Sequence, residues 1–510
     1  MTTASDRLPE HIDIAIVGAG FSGLAMAHEL REAGREDFVI LDRGHDIGGT
    51  WRDNTYPGCA CDVPSHLYSF SWAPNPEWSS TFSSQPEIWD YLRHTAQAHD
   101  LVRHVVMGCA LEEAAWDEDA GRWTIQTSCG RLTARVLISG AGGLSEPATP
   151  VLPGLERFTG KIFHSARWDH DHPLAGERVA VVGTGASAIQ FVPEIQGEVA
   201  RLHVFQRTPP WIMPRRARGL TRLERAVYRR LPAAQRLMRS GIYWARELYA
   251  IPFLRPRLGA VIRMLCTLHL HQQVADPALR AKLIPTYTPG CKRILLSNDY
   301  LPALEQPNVE VITDGVAEVR ERSVVSRDGA EREVDTIIFG TGFHVTDMPL
   351  AGRLRGKDGR TLAETWEGGM HAHKGTTIAG FPNLFFILGP NTGLGHTSVV
   401  FMSETQASYI ARALAHMRAT GAEVLEVKPE AEKRWNDALQ RHMQGTVWVS
   451  GGCASWYLDA HGRNTVLWPG FTFRFRRALA RFDPQHHEQR RRMDRGVPRA
   501  GRPGDLALTP

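Results

Sequence analysis

The 510-residue chain is too long for one ordinary hydrophobic core, so its length predicts two or three domains. Hydrophobic residues make up 43% and charged residues 22%, which is ordinary for a soluble globular protein. The net charge of +4 is small for this length and suits an anionic cofactor. It does not indicate nucleic-acid binding, and the sequence contains no RNP, zinc-finger or basic-zipper pattern.

The seven cysteines are odd in number and irregularly spaced, and no signal peptide precedes them. A reducing cytoplasm is therefore the simplest expected location. The sequence shows no Cys-x-x-Cys redox pair and no cluster of metal ligands, so we expect no metal site. No uncharged run is long enough to cross a bilayer, so we expect no transmembrane segment.

The first predicted strand, residues 11–17, is apolar and β-branched and leads directly into a glycine-rich turn at residues 18–23. A helix from Ser22 to about Ala33 follows, and a second strand at residues 38–41 ends in Asp42. The glycines let the backbone approach a pyrophosphate, and Asp42 stands near the spacing at which an acid meets a ribose hydroxyl. This context predicts a site for an adenine dinucleotide, either FAD or NAD, on Gly18, Gly20, Gly23 and Asp42.

A strand at residues 135–139 ends in another glycine-rich turn, and residues 144–176 are rich in proline and glycine. We predict an interdomain connection there. It contains the string Phe-x-Gly-x-x-x-His-x-x-x-Trp-Asp, formed by Phe158, Gly160, His164, Trp168 and Asp169. A lone histidine is more often structural than catalytic, so we interpret the string as a hinge: Phe158 and Trp168 anchor it, Gly160 gives backbone freedom, and His164 bonds across the domain seam.

The strand–turn–helix pattern repeats at residues 178–182, with a turn that contains Gly183, Gly185 and Ser187. The next strand, residues 202–205, is followed by Arg207 and Thr208 and by no acid. An arginine can pair with a 2′-phosphate and a threonine can hydrogen-bond it, whereas a carboxylate would repel it. This second site should therefore prefer NADPH to NADH, although Arg207 as an ordinary surface arginine is the alternative.

Residues 220–285 are helical in character and rich in arginine, and they interrupt the second nucleotide unit. A basic amphipathic membrane helix is one interpretation; we favour a solvated insertion that covers the cleft. A strand at residues 333–339 then leads to Gly342, in a turn like the second FAD contact of two-dinucleotide flavoproteins. Asn391 lies in a later turn before a helix at residues 398–417, and residues 484–510 are expected to form a loose tail.

This layout resembles the class B flavoprotein monooxygenases, and several strings resemble their Baeyer-Villiger branch. They are the linker string, Gly48-Gly-Thr50-Trp51, Tyr56-Pro-Gly58, Cys61-Asp62, Gln206-Arg-Thr-Pro209 and Cys291-Lys292-Arg293. Residues 62–69 and 452–457 are similar to the aryl-ketone-oxidising members. The resemblance covers nearly the whole chain up to about residue 484.

The resemblance implies a role for each matching residue. Arg293 matches the family's active-site arginine and Asp62 the carboxylate that holds it. Lys292 matches a residue that helps to bind the NADP 2′-phosphate. Thr50 and Trp51 fall in a cofactor-binding string. An arginine suits such a site because it stays charged at any working pH.

The implied activity is NADPH- and O2-dependent oxygen insertion beside a ketone carbonyl, which gives an ester or lactone through a C4a-peroxyflavin. The alternative is a related monooxygenase that forms N-oxides or sulfoxides, although such enzymes usually lack the Trp-Asp or Trp-Pro ending of the linker string. A disulfide reductase is disfavoured because the chain lacks a redox cysteine pair. A non-catalytic nucleotide-binding protein is disfavoured because Arg293 and Asp62 are present.

The expected architecture is α/β, with two Rossmann-like dinucleotide-binding domains and a helical insertion in the second. We predict the first part of the FAD domain at residues 1–150 and a linker at 151–176. The NADPH domain follows at 177–330, the return to the FAD domain at 331–483 and the tail at 484–510. The substrate is expected to be a small ketone, with O2 as co-substrate and no nucleic acid as partner.

Overall fold

The computed structural model describes residues 8–491, which contain two separate sheets of mainly parallel strands. The first sheet has eight strands. In spatial order seven of them are Leu354–Arg355, Leu111–Asp117, Arg122–Thr127, Gly130–Ser139, His11–Val17, Phe38–Leu41 and Val105–Val106, and Leu384–Phe386 pairs with Gly130–Ser139 as well. This mixed α/β architecture confirms the predicted fold class.

The strand His11–Val17 is central because its side chains are apolar on both faces. It pairs in parallel with Phe38–Leu41 and with Gly130–Ser139, and Ile14 and Ile16 are completely buried. The helix Phe21–Glu32 follows the glycine turn and ends before Gly34, whose φ of +68° suits glycine. The helix Val399–Thr420 packs against it and closes this face of the sheet.

The second sheet has five parallel strands, in the order Val309–Ile312, Arg201–Phe205, Arg178–Val182, Thr336–Phe339 and Lys161–His164. The helix Ala188–Gln196 packs on it. A three-stranded antiparallel sheet of Val316–Arg320, Ser323–Ser326 and Glu331–Glu333 adjoins its strands. The second sheet thus includes residues on both sides of the 177–330 segment: one strand lies within the predicted linker, and another follows the predicted return at residue 331.

The helical insertion lies between two adjacent strands of the second sheet, Arg201–Phe205 and Val309–Ile312. It contains a short strand, Ile212–Met213, which pairs with Leu295–Leu296. Its helices are Arg222–Arg230, Pro232–Leu248, Ala250–Leu254, Ala260–Gln273 and Pro277–Leu283. Within residues 8–491, no helix combines the length and the apolar character needed to cross a bilayer.

The chain then returns to the first sheet through the strand Leu384–Phe386. The remaining helices are Thr50–Asp53, Gln85–Ala98, Tyr300–Leu304, Leu362–Thr365, Pro429–Met443, Val447–Ser450 and Thr472–Ala478. The loose tail was predicted to begin at residue 484, and this boundary is wrong. Residues His487–Arg491 form an antiparallel strand against Ala422–Val427. The rest of that predicted tail, from residue 492, lies outside the described residues.

Candidate functional site

The first glycine turn is packed too closely for any other residue at its third glycine. A Cβ atom at Gly23 would lie 1.8 Å from the Gly18 carbonyl oxygen. Gly18 has a φ of +100°, and a Cβ there would lie 3.1 Å from the Gly140 oxygen. A Cβ at Gly20 would lie 3.6 Å from the Gly49 Cα and 3.9 Å from the Gly48 oxygen. This tight strand–turn–helix junction is the kind of cradle that a dinucleotide pyrophosphate needs.

Asp42 lies beside this turn, at the end of the neighbouring strand, and is buried. Its Oδ2 accepts the backbone N–H of Ala19 at 2.7 Å, and its Oδ1 accepts from Gly44 N at 2.8 Å and Arg52 Nη1 at 2.7 Å. The carboxylate therefore shapes the turn itself. Its predicted bond to a ribose hydroxyl stays a prediction.

Thr50 and Trp51 begin a short helix that faces the same turn. The Thr50 hydroxyl donates to the Leu144 carbonyl at 2.7 Å, and the Trp51 indole N–H donates to the Tyr68 hydroxyl at 3.0 Å. These bonds fix the 48–51 segment against the start of the interdomain connection. They place both residues at the first turn and leave their contact with a cofactor a prediction.

The second glycine turn has a similar construction. Gly183 has a φ of +109°, and a Cβ there would lie 2.5 Å from the Gly340 oxygen, while Gly185 is exposed. Ser187 stands at the start of the helix Ala188–Gln196, with its backbone in the helical region. The N-terminus of that helix and the turn together form a second site suited to a pyrophosphate.

Three cationic or polar residues predicted to select NADPH lie near this turn. Arg207 is exposed directly after the strand Arg201–Phe205, and the Thr208 carbonyl oxygen accepts the Thr184 hydroxyl at 3.5 Å. Burial lowers the pKa of Lys292 below its usual value, and the charge of Arg207 lowers it further. The structure thus brings Arg207 and Lys292 together from segments 85 residues apart. Two adjacent cations suit a 2′-phosphate.

Asp62 and Arg293 form a bidentate ion pair in a cleft that the helical insertion and residues 395–397 also line. Arg293 Nε donates to Asp62 Oδ2 and Arg293 Nη2 donates to Asp62 Oδ1, both at 2.6 Å. A third donation, from Arg293 Nη1 to the Leu394 carbonyl at 3.3 Å, fixes the guanidinium plane. Both side chains keep about three-tenths of their surface exposed, 31% for Arg293 and 27% for Asp62.

The electrostatics of the pair keep both groups charged. The Asp62 carboxylate raises the pKa of Arg293 above its usual value. Burial alone would raise the pKa of Asp62, but the guanidinium of Arg293 holds it below its usual value. A permanent cation thus lines this cleft, together with the apolar side chains of Val63 and Phe253.

The linker string lies along the second sheet and packs locally. Phe158 is buried with Phe205, and Trp168 contacts Phe163 and Phe191 at ring-centroid distances of 5.1 and 5.3 Å. Asp169 pairs with Lys161, which holds the end of the string beside its own strand.

The structure gives a separate reason for glycine at position 160. Its φ lies outside the left-handed region, and a Cβ there would lie 2.1 Å from the Asp335 oxygen and 2.6 Å from the Phe158 ring. Glycine is needed for this close approach, and the backbone freedom predicted for Gly160 stays a prediction.

His164 and Gly342 meet where two chain segments connect the domains. Segments 147–148 and 341–343 run side by side: Ala148 N donates to Gly342 O at 2.9 Å, and Thr341 Oγ1 donates to Ala148 O at 2.6 Å. His164 accepts the Ala166 N–H at 3.0 Å, and its ring lies 5.9 Å from that of Phe343. Burial lowers the pKa of His164 to about 4, so the ring is neutral at pH 7.

The structure shows the surroundings of Gly342 and Asn391, and their contacts with FAD stay predictions. The turn before Gly342 packs on the second glycine turn, through the Gly340 carbonyl. The Asn391 side-chain amide donates to the carbonyls of Asn464 at 2.9 Å and Leu467 at 3.0 Å, and the residue is buried. Its backbone N–H donates to the Thr465 carbonyl at 2.8 Å, so only its side-chain and backbone oxygens remain for a cofactor.

A group of possible metal ligands lies elsewhere in residues 8–491, although the sequence predicted none. Ligand atoms of His373, Asp483 and His486 all lie within 4.8 Å of one another. The Asp483 carboxylate also accepts from Lys374 at 3.0 Å and from the Tyr409 hydroxyl at 2.5 Å. A lysine ammonium in this position competes with a cation, so we interpret Asp483 as an anchor for the C-terminal segment.

Comparison with known proteins agrees with this geometry. Residues 11–232 match the family model described as flavin-binding monooxygenase-like. A Baeyer-Villiger monooxygenase of Streptomyces coelicolor is 53% identical over 480 residues, which are 94% of this chain and 92% of the relative. The chain belongs to the Baeyer-Villiger monooxygenases. This membership does not favour the N- or S-oxygenating alternative.

Solved structures extend the comparison. A steroid monooxygenase bound to NADP is 30% identical with a TM-score of 0.81, and the match covers 92% of this chain and 97% of that one. The complex of OTEMO with FAD and NADP is 26% identical with a TM-score of 0.84, covering 94% of this chain and 99% of that one. The two-domain fold of the Baeyer-Villiger monooxygenases therefore extends over nearly all of this chain.

Two residues of this Baeyer-Villiger site were missed by sequence reasoning. Arg246, on the insertion helix Pro232–Leu248, reaches the Asp62 carbonyl at 3.4 Å, and burial lowers its pKa. Tyr457 is buried close enough to Arg293 for their charges to interact, and burial raises its pKa to about 12. No local motif marks Arg246, whereas Tyr457 lies in the 452–457 string that carried part of the resemblance.

The disulfide between Cys291 and Cys453 was also missed, because the partners are 162 residues apart. It joins the segment that carries Lys292 and Arg293 to the segment that carries Tyr457. The Gly451 carbonyl accepts the Thr288 N–H at 3.0 Å beside it. The two strings of the family resemblance are thus covalently connected at the cleft.

Proposed function

We propose that this chain oxidises ketones to esters or lactones, consuming NADPH, a proton and O2 and releasing NADP+ and water. One oxygen atom enters between the carbonyl carbon and a neighbouring carbon, and the other leaves as water. The observation that carries this proposal is the fixed Arg293–Asp62 ion pair at the wall of a partly apolar cleft, in a chain that also holds two glycine turns suited to dinucleotides. The close similarity to a curated Baeyer-Villiger monooxygenase supports it.

The first turn would hold FAD and the second NADPH. Gly18, Gly20 and Gly23 provide the close cradle for the FAD pyrophosphate, with Asp42 beside them and Thr50 and Trp51 at the facing segment. We retain Gly342 and Asn391 as FAD contacts through their backbone groups and the Asn391 oxygen. The FAD and NADP complex of a solved relative supports both sites.

For NADPH, the turn at Gly183 and Gly185 and the helix start at Ser187 would receive the pyrophosphate. Arg207, Thr208 and Lys292 would bind the 2′-phosphate, whose charge two adjacent cations match. The exposure of Arg207 leaves its guanidinium open to a ligand.

Bound FAD supplies the redox chemistry, taking two electrons from NADPH and passing them to O2. The chain itself supplies a permanent cation, Arg293, at the wall of the cleft where negative charge develops on oxygen. Asp62 orients that cation through two hydrogen bonds and keeps it from turning towards solvent. Apolar residues such as Val63 and Phe253 limit water in the cleft, so that negatively charged oxygen is less readily protonated there.

The linker string is proposed to control rate and not chemistry. His164 contacts residues 341–343, one of the two segments that connect the domains. The His170 ring also forms a hydrogen bond of 2.8 Å with the Thr55 hydroxyl of the first domain. A movement between the two domains would pass through these contacts. For substrate, we infer an aryl or cyclic ketone from the 62–69 and 452–457 strings; Asp62 and Val63 of the first string line the cleft.

The test is product identification with purified enzyme, NADPH and O2, offering an aryl ketone and a sulfide in separate reactions. We expect an ester from the ketone. Formation of sulfoxide with no ester from any member of a ketone panel would assign the chain to heteroatom oxidation instead.

A further inference from the structure

The insertion helix Pro232–Leu248 presents its apolar face outward. Leu237, Trp244 and Leu248 are 75%, 57% and 64% exposed, and they recur with helical spacing on one side. The inward side is mixed: Gln235 and Glu247 are only 4% and 2% exposed, and Ile242 and Tyr243 pack partly buried against the core. This helix thus carries apolar side chains on both sides, whereas a helix on a globular surface buries one apolar stripe and exposes polar residues.

Specific hydrogen bonds hold the inward side of this helix. They determine the orientation of the helix on the protein. Gln235 Nε2 donates to the Asn75 carbonyl at 2.6 Å, and Arg239 donates to the His66 carbonyl at 2.7 Å. Glu247 accepts the Thr472 backbone N–H at 2.9 Å. The apolar side is therefore left exposed by construction, and Phe473, 39% exposed, extends it beside Trp244 at 5.9 Å.

A second exposed apolar stripe lies on the helix Ala260–Gln273. Val261, Met264 and Leu268 are 60%, 61% and 53% exposed, again at helical spacing. Here the inward face is apolar as well, through residues such as Ile262 and Leu270. Exposed apolar side chains of this number and size on one segment mark an interaction surface. We call the two stripes together the insertion surface.

The charge around the insertion surface limits which partner it fits. Residues 222–273 contain ten arginines and two glutamates, while the whole chain has a net charge of only +4. Both glutamates are already bonded, Glu224 to Arg218 and Glu247 to Thr472. Several of the arginines are exposed, among them Arg229, Arg230 and Arg236. Of these three, Arg229 pairs with Glu77 at 2.7 Å.

A second copy of this chain fits poorly, because a two-fold contact would oppose the same arginines on both copies. An anionic bilayer fits both properties of the surface. Its headgroups attract arginines, and its acyl boundary accepts Trp and Leu side chains from a helix that lies in the plane of the membrane.

We propose that the insertion surface docks this enzyme on an anionic lipid bilayer, with the mouth of the cleft turned towards the lipid. Tyr249 directly follows Leu248; it is 40% exposed and lines the same cleft as Asp62 and Arg293. A substrate entering past Tyr249 would come from the bilayer side. The consequence that the ketone is an apolar, membrane-partitioned one rests on the proposed function.

This docking revises the sequence-based preference for a solvated insertion. The insertion does line the cleft, as a cover would, through Arg246, Tyr249 and Phe253. Its outer side, however, is not the polar surface that a solvated cover requires. The insertion thus lines the cleft with one part of its surface and exposes apolar side chains with another.

The experiment is vesicle co-sedimentation of the full-length, FAD-loaded enzyme, without NADPH or ketone. Vesicles of phosphatidylcholine with about 30% phosphatidylglycerol are compared with pure phosphatidylcholine. We expect binding to the anionic vesicles that falls at high salt. In the triple variant Leu237→Gln/Trp244→Gln/Leu248→Gln, binding should weaken at least about tenfold. The matched control Val102→Gln/Leu144→Gln/Val151→Gln removes equally exposed apolar residues elsewhere and should bind normally.

A charge variant, Arg229→Gln/Arg230→Gln/Arg236→Gln, should lose the preference for anionic vesicles. FAD content and melting temperature verify that each variant is folded. The proposal is overturned if the wild type binds neither vesicle, or if the Leu237/Trp244/Leu248 variant binds as well as the wild type. It is also overturned if light scattering shows a wild-type dimer that this variant converts to a monomer. Because binding is measured without turnover, a failure of ester formation would leave this result unaffected.

Discussion

Arg293 and Asp62 are 231 residues apart in the chain and meet through two parallel hydrogen bonds of 2.6 Å. Two parallel hydrogen bonds fix the plane of the guanidinium. A lysine ammonium paired with the same carboxylate has no plane to fix. The pair therefore places an oriented, permanent cation in the cleft. The proposed chemistry depends on this relationship more than on either residue alone.

Replacing Arg293 by alanine should separate the two halves of the reaction. We expect flavin reduction by NADPH within a few-fold of wild type, because the variant retains both nucleotide turns. Ester formation should fall by at least about 100-fold, since the fixed charge is lost. Stopped-flow reduction and product chromatography measure the two rates. The exposed Arg157→Ala is the matched control, and normal ester yield from Arg293→Ala would remove this residue from the mechanism.

Replacing Asp62 by asparagine keeps the shape and removes the charge. Arg293 would then be less firmly held, so we expect ester formation to fall about 10-fold or more and hydrogen peroxide per NADPH to rise. The pKa of Asp62 is held low, so its stabilising effect is present above the usual aspartate pKa and is lost as pH falls through the folded value. Melting temperatures of wild type and variant should therefore differ at pH 7, and they should begin to converge only as pH falls below about 4, towards the folded pKa. A constant difference at all pH values would contradict the ion-pair account.

Arg207→Ala should reduce the preference for NADPH over NADH. The expected change in the ratio of kcat/KM values is about tenfold, arising mainly from KM for NADPH, because a 2′-phosphate would lose one of two cations. Lys292→Ala should act in the same direction. Arg201→Ala, at an exposed arginine of the strand that precedes Arg207, is the control. An unchanged ratio in both variants would show that another group binds the 2′-phosphate.

The bond between Cys291 and Cys453 predicts a response to reductant. Cys453→Ser should lower stability by about 2–4 kcal/mol, because a loop of 162 residues is no longer closed. It should also weaken NADPH binding, since the segment that carries Lys292 loses its attachment. Dithiothreitol should lower the wild-type melting temperature and leave Cys453→Ser unchanged, with Cys129→Ser as control. Equal melting temperatures of the wild type and both variants, with and without dithiothreitol, would show that the disulfide does not form. The cytoplasmic location expected from the cysteines stays a prediction.

Protonation of His164 should account for part of the loss of folding stability in acid. Its pKa of about 4 in the folded chain is below the usual value of 6.5. As pH falls, this side chain is therefore protonated in the unfolded chain before it is protonated in the folded chain. This contribution to stability is complete above about pH 6.5 and is lost as pH falls towards 4. His164→Asn should therefore flatten the fall in melting temperature over this range, whereas the exposed His461→Asn should not. A slope identical to that of the wild type would contradict a buried neutral His164.

Both nucleotide turns could be predicted because their signals are local: an apolar strand, close glycines and a helix within about 25 residues. The strand Lys161–His164 could not, since it lies in a proline- and glycine-rich stretch and pairs with residues 336–339, far along the chain. The strand His487–Arg491 was missed for the same reason. Long-range pairing leaves no period in a single segment.

The Arg293–Asp62 pair shows a different limit. Neither residue stands out by composition or spacing, and only the family resemblance identified them. The outward apolar face of Pro232–Leu248 was hidden because periodicity shows that a helix has two faces and not which of them is buried. The buried bonds of Gln235 and Glu247 decide that question.

Oxidation of a ketone under 18O2, with the product identified by mass spectrometry, tests the central claim most directly. The account predicts an ester two mass units heavier than that formed under ordinary oxygen, in a yield that matches the NADPH consumed. An enzyme that oxidises NADPH and converts a sulfide to labelled sulfoxide, yet forms no labelled ester from any ketone, would contradict it.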